Sequence, residues 1–175
     1  MWTPRIFPLA PMSSDIRALT GICLALPAVF VAGSFVKAPM LLVAVSVCGL
    51  YAVVWFWMRP TRFVVMHESF LIEWPLRSTA ISSSTIAGVE TLDRAAFRRQ
   101  FGRGGVRVGA GGLWGAFGLL MTSKETFAMY VSRSDAFVLV RRKDDRPLLL
   151  TPDQPERFAA ALRETLGPRP PSERQ

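Results

Sequence analysis

Hydrophobic and polar positions divide the chain into distinct regimes. LTGICLALPAVFVAGSFV runs from Leu19 to Val36, and PMLLVAVSVCGLYAVVWFWM from Pro39 to Met58; neither contains a charged residue. At 18 and 20 residues, each approaches the length a helix needs to cross a hydrocarbon core. Only Lys37 and Ala38 lie between them, so the pattern predicts an antiparallel helical hairpin. Backbone polar groups in lipid must pair within their own segment, which makes both runs helices rather than strands. A helix in a soluble core would ordinarily keep a polar face, and neither run has one. A cleaved signal peptide, with the small residues of VAGS near Ser34, is the other reading of the first run. It fits less well, because eighteen residues precede that run and a second apolar run follows at once. Pro27 is a candidate kink, and Ala28 and Ala32 are a small-residue pair for close helix approach.

After Arg59 the pattern changes to short alternating runs. RFVVMH (62–67), FLIEW (70–74), STAIS (78–82) and IAGVETL (86–92) read as strands, with a turn at His67–Ser69 and a bulge at Gly88. FGLLM (117–121), TFAMYV (126–131), AFVLVR (136–141) and LLL (148–150) follow, separated by Ser123–Glu125, Arg133–Asp135 and Lys143–Asp145. Short strands with polar turns indicate an antiparallel sandwich or barrel. One helix follows. Thr151–Gln154 should start it, with a capping residue, an early proline and a capping-box spacing from Asp153 to Glu156. Phe158, Leu162 and Leu166 form its apolar stripe, and Gly167–Pro168 should stop it. Strands followed by one helix with a single greasy face imply a bent sheet whose open end the helix covers.

Ile86 with Val89, then GGLWGAFG, then TPDQPERFAAAL resemble the bacterial pleckstrin-homology-like (PH) family, whose members often follow an N-terminal transmembrane hairpin. The resemblance covers about residues 60–166 and is one of hydrophobic and turn positions. It implies a mainly-β PH-like domain of bent antiparallel sheets, about seven strands and a C-terminal capping helix; the eight runs above exceed that number by one. The expected organisation is a tail at 1–18, the hairpin at 19–58 (helices 19–36 and 39–58), the PH-like domain at 59–166 and a disordered tail at 167–175.

Charge adds an orientation. Arg5 and Arg17 precede the first helix and Arg59 and Arg62 follow the second, while Lys37 alone lies at the far end. The positive-inside bias places both termini in the cytoplasm, as in a multi-pass protein of a bacterial inner membrane. Tyr51, Trp55 and Trp57 lie toward the cytoplasmic end of the second helix, where amphipathic rings favour the interface.

The stretch FRRQFGRGGVRVGAGGLWGAFG (97–118) has four arginines, eight glycines and no acid. It lacks the Lys of a phosphate-binding Walker loop and the strand-then-helix setting of a dinucleotide fold. Its glycines are expected to serve turns and close strand packing. Arg94, Arg98, Arg99, Arg103 and Arg107 are the candidate contact residues, on what reads as a basic loop. Anionic lipid headgroups attract such residues by about 1 kcal/mol each near a surface. A solvated face and a protein partner are the alternatives, the partner being a membrane protein or a second copy. Nucleic acid is disfavoured, since no aromatic stacking motif accompanies the charge.

Catalytic residue types are scarce. His67 is the only histidine, Cys23 and Cys48 fall inside the apolar runs, and no metal spacing or nucleophile elbow occurs. Ser82–Thr85 reads as a turn, and Asp144–Asp145 as a solvated hairpin tip. The sequence predicts no catalytic site, cofactor or metal. Its expected role is a membrane-anchored binding or scaffolding module. The alternative is an accessory subunit of a membrane transporter or stress-response complex, contacting its partners through the hairpin.

Overall fold

The computed structural model describes residues 3–102 and 104–166. The helix stop at Gly167–Pro168, the tail at 167–175 and Arg103 therefore lie outside the described residues. The chain opens with a strand, β1 (Arg5–Pro8), inside the segment read as a tail. It then enters α1 (Ser14–Ser34) and α2 (Pro39–Val53), which closes in one π turn, Val54–Met58. α1 begins five residues earlier than the apolar run, because Asp15 is an acid in its first turn and suits the positive end of the helix dipole. Residues 14–18 extend the helix without belonging to its greasy part. Both helices are long and apolar enough to cross a membrane, α1 over Ser14–Ser34 and α2 with its π turn over Pro39–Met58.

The chain returns as β2 (Arg62–Val65), β3 (Ser69–Glu73) and β4 (Ser78–Ser82). β2 pairs antiparallel with both β1 and β3, giving a four-stranded sheet in the order β1-β2-β3-β4. The strand before the hairpin thus lies against the strand after it: Ile6 faces Val64 and Phe7 faces Phe63.

A second sheet follows: β5 (Ile86–Asp93), β6 (Val106–Gly111), β7 (Ala116–Met121), β8 (Thr126–Val131), β9 (Ala136–Arg142) and β10 (Leu148–Leu150). Its order is β5-β9-β10-β8-β7-β6. All neighbours are antiparallel except β10 and β8, so the sheet is mixed rather than purely antiparallel. The expected bulge appears as a register shift between Ile86 and Gly88. Among the described residues ten strands form, against the eight runs read from the sequence; β1 and β6 are the additions.

The last helix, α4 (Pro155–Thr165), buries Phe158, Ala159, Ala161 and Leu162 between the sheets. Phe158 meets Phe7, Phe63 and Phe70 with ring centroids 5.3, 5.7 and 6.2 Å away. Its start is not the expected capping box. Gln154 is the N-cap and its side chain caps no helix amide, accepting instead from the Arg157 guanidinium at 3.0 Å. Thr151 is instead buried and accepts a hydrogen bond from the Ser132 amide at 2.8 Å, while the Asp153 amide donates to Pro8 at 2.9 Å. These residues serve the junction with the N-terminal segment before the helix begins.

The central strands of the larger sheet are buried on both faces. Val138, Val140, Leu148 and Leu150 face the α4 core, while Phe127, Met129, Leu139 and Leu149 face the other way. Such double burial produces near-continuous apolar runs, which explains AFVLV and LLL. On that far face sits a helix absent from the sequence reading, α3 (Arg94–Phe101).

Candidate functional site

α3 occupies the start of the stretch read as a basic loop. Asp93 is its N-cap, its carboxylate accepting from the Ala96 amide at 2.5 Å. Gly102, at φ 90°, ends it in a conformation that favours glycine. Phe97, half-buried, and Phe101, buried, stand one turn apart and form the apolar stripe. Phe101 meets Phe127 at 4.8 Å and Phe97 meets Phe137 at 5.5 Å. The Lys124 ammonium donates to the Gln100 carbonyl at 2.7 Å, a cation placed at the negative end of the helix.

With Phe97 and Phe101 turned inward, the arginines of α3 are left outside. Arg94 and Arg98 join Arg107 of β6 around a pocket of about 470 Å³. Leu120, Met129, Val131, Phe137 and Leu149 of the large sheet supply its apolar lining, and Asp15, Ile16 and Leu19 of α1 line it too. Arg99 belongs to a shallower groove along α3 with Arg94, Ala95 and Arg98. The structure thus gathers Arg94, Arg98 and Arg107 around one opening, with Arg99 adjoining. They stand on a helix and a strand, which corrects the reading of a loop: a phenylalanine pair that can pack on the sheet draws residues 94–101 into about two turns of helix.

The charge of this face is uncompensated. Several arginines elsewhere meet carboxylates: Arg141 spans Glu90 and Glu125 at 3.3 and 3.4 Å, Arg142 reaches Asp145 at 2.6 Å, and Arg5 reaches Glu164 at 2.9 Å; others, such as Arg77 and Arg163, donate to backbone carbonyls. Arg62 pairs with Glu73, and Arg133 with Asp135. Among the described residues, Arg94, Arg98, Arg99 and Arg107 make no ion pair or side-chain hydrogen bond, and Asp15 is the one acid lining the pocket.

The rest of the glycine-rich stretch joins the sheet to the helical hairpin. β6 and β7 bring Gly109 opposite Gly118; a Cβ on Gly109 would stand 2.3 Å from the Phe117 oxygen, so the close approach requires glycine there. The turn after β6 then inserts against α1 and α2. Thr20, only 3 % exposed, donates to the Gly112 carbonyl and accepts from the Trp114 amide, both at 2.9 Å. Trp114 holds a left-handed φ of 57°. Its ring stands edge-on to Trp55 at 4.8 Å and to Tyr51 at 6.4 Å. The Tyr51 hydroxyl donates to the Cys23 carbonyl at 2.6 Å, tying the helices to each other beside this contact. Further along, the Trp74 indole donates to Met58 at 3.2 Å and Arg77 donates to Trp57 at 3.1 Å. Arg59 lies over the Trp55 ring at 4.5 Å, and its burial lowers the pKa of the guanidinium.

Thr20, Trp114 and Asp15 were not singled out as site residues from the sequence. The tryptophan in GLWG, between glycines that free the backbone, was the available signal. No group of three metal-ligating side chains occurs among the described residues, and His67 lies in the turn between β2 and β3.

No curated protein and no solved structure matches the chain. The model of the family described as Bacterial PH domain matches residues 61–166, from the start of β2 through α4. PH domains are typically non-catalytic, and the family suggests a binding or scaffolding module. The matched segment is more than half of the chain and takes in both sheets except β1, together with the covering helix: the chain belongs to the bacterial PH domain family.

Proposed function

We propose that the protein is a membrane-anchored binding module. α1 and α2 cross a bacterial inner membrane, both termini lie in the cytoplasm, and the arginine face of the large sheet contacts anionic lipid headgroups. The supporting observation is that Arg94, Arg98 and Arg107 share one pocket with Ile16 and Leu19 at the start of the first apolar helix. A helix that enters lipid at about that level brings headgroups to the arginines. The hydrogen bonds of Thr20 to the turn at Gly112–Trp114 keep the domain in that position. The pairing of β1 with β2 supports placing the two ends of the hairpin on one side. Arg5, Arg17, Arg59 and Arg62 near those ends favour the cytoplasmic side, and Tyr51, Trp55, Trp57 and Trp114 suit an interfacial belt.

Two measurements test this. In a C23A C48A background, a thiol introduced as K124C is expected to react with an impermeant reagent only after the inner membrane is opened. Labelling in intact spheroplasts at the same rate overturns the orientation. For the headgroup contact, amide exchange over residues 94–111 is expected to slow in phosphatidylglycerol nanodiscs relative to phosphatidylcholine ones; equal exchange in both rejects it.

A further inference from the structure

The arginines explain an anion, but not the apolar lining beneath them. α3 has eight residues, so it is about 12 Å long. Six strands spaced by about 4.8 Å give a sheet roughly 24 Å across. The helix therefore covers only part of the outer face, and the pocket lies between it and the first turns of α1. Leu120, Met129, Val131 and Leu149 face this space from β7, β8 and β10. At about 470 Å³ the space falls within the range of small-ligand pockets.

The lining restricts the ligand. A free phosphate would use the arginines and leave the apolar lining unoccupied. A nucleotide would need polar groups to fix its base; Thr122 and Ser134 are the uncharged polar side chains of the lining, and the sheet, Arg107 apart, contributes leucine, methionine, valine, phenylalanine and alanine. An uncharged apolar compound would leave the arginines unused. An anion joined to a hydrocarbon chain uses both. Leu19 lines the pocket and also opens the uncharged run of α1, so the opening is continuous with the surface along which a bilayer lipid would arrive.

We propose that this pocket takes one acyl chain of an anionic bilayer phospholipid, laid against Leu120, Met129 and Leu149, with the phosphate among Arg94, Arg98 and Arg107. The proposal rests on the membrane placement above and deepens it: the headgroup contact becomes a seat for a single lipid molecule drawn out of its leaflet.

The test uses the full-length protein in phosphatidylcholine nanodiscs doped with phosphatidylglycerol bearing a diazirine at the end of one chain. After illumination, the labelled residues are located by peptide mass spectrometry. Labels are expected on β7, β8 and β10 as well as on α1 and α2. The same probe on phosphatidylcholine should label the strands at least about tenfold less, given the worth of a basic residue near anionic lipid. R94S R98S R107S should lower strand labelling to that level. L120W, which fills the pocket and leaves the arginines in place, should abolish it while labelling of the helices and amide protection of β9 and β10 persist; strand labelling that survives L120W in the folded protein overturns the proposal.

Labels confined to α1 and α2 overturn the proposal. If anionic lipid still slows exchange over 94–111 in that case, the surface contact survives and only the acyl seat is lost. If exchange is also unchanged, both fail. Equal strand labelling by a diazirine fatty acid lacking a phosphate, unaffected by the arginine substitutions, also overturns the assignment to phospholipid.

Discussion

At the scale of single residues, Thr20 shows how much a greasy run can conceal. In sequence it is one polar residue near the start of an uncharged run. In the structure its hydroxyl satisfies two backbone groups of a turn more than ninety positions away. T20V keeps the shape and strands both partners. Leaving buried polar groups unpaired costs about 1–3 kcal/mol each, so the variant should melt several degrees lower in detergent, as thermal unfolding followed by tryptophan fluorescence would show. Gly109 makes the opposite point, since its value lies in an absent side chain. G109A places a Cβ against the Phe117 oxygen at a φ of 134° and should destabilise by about 1–3 kcal/mol. Asp135 gives a pH signature. The hydrogen bond from Arg133 holds its carboxyl below the ordinary value of 3.8. A lowered folded pKa gives stability that is complete above the unfolded pKa and fades as pH falls through the folded one. D135N should therefore lower the melting midpoint at neutral pH and reduce its dependence on pH below about 4, so that variant and parent converge in acid.

At the scale of elements, legibility followed the strength of the hydrophobic pattern. The two helices of the hairpin were legible because charge is wholly excluded from them, and β2 to β5 and β7 to β10 because apolar residues recur in short runs between polar turns. β1 was hidden by its brevity: four residues ending in proline, RIFP, carry too little pattern and acquire meaning only against β2. β6 was hidden because Gly109 and Gly111 replace the side chains by which a strand is recognised. α3 was hidden because its apolar stripe consists of two phenylalanines amid arginines, and the glycines beyond it suggested a loop. The arginines were therefore found as a group, while their scaffold and the apolar space beside them were not, since that space depends on a sheet face assembled from distant strands. F101A should unseat α3 without unfolding either sheet: amide protection over 94–101 is expected to fall while that of β9 and β10 persists in hydrogen exchange.

At the scale of the whole molecule, the hairpin is not a detachable anchor beside a finished domain. β1 lies on one side of it in sequence and β2 on the other, yet Phe7 packs on Phe158 together with Phe63 and Phe70. The matched family segment begins at residue 61, so it contains the socket for Phe7 without the strand that fills it. Residues 59–166 expressed alone should consequently be less stable than the intact protein and should regain stability when a peptide spanning residues 3–12 is added. Loss of the Phe7 ring alone is worth about 3–5 kcal/mol on the scale of buried aromatic truncations, and F7A in the full chain measures it.

With the two helices placed in a bilayer as proposed, the pairing of β1 with β2 would also make the globular part a proofreader of membrane insertion. A nascent chain whose first helix entered the bilayer while its second stayed behind, or entered the wrong way round, would strand Arg5–Pro8 across the bilayer from its mate. The four-stranded sheet would then lack its outer member, leaving an apolar gap beside Phe158 for quality-control proteases to find. On that placement, correct threading and correct folding would be a single event, checked by four residues synthesised before either helix.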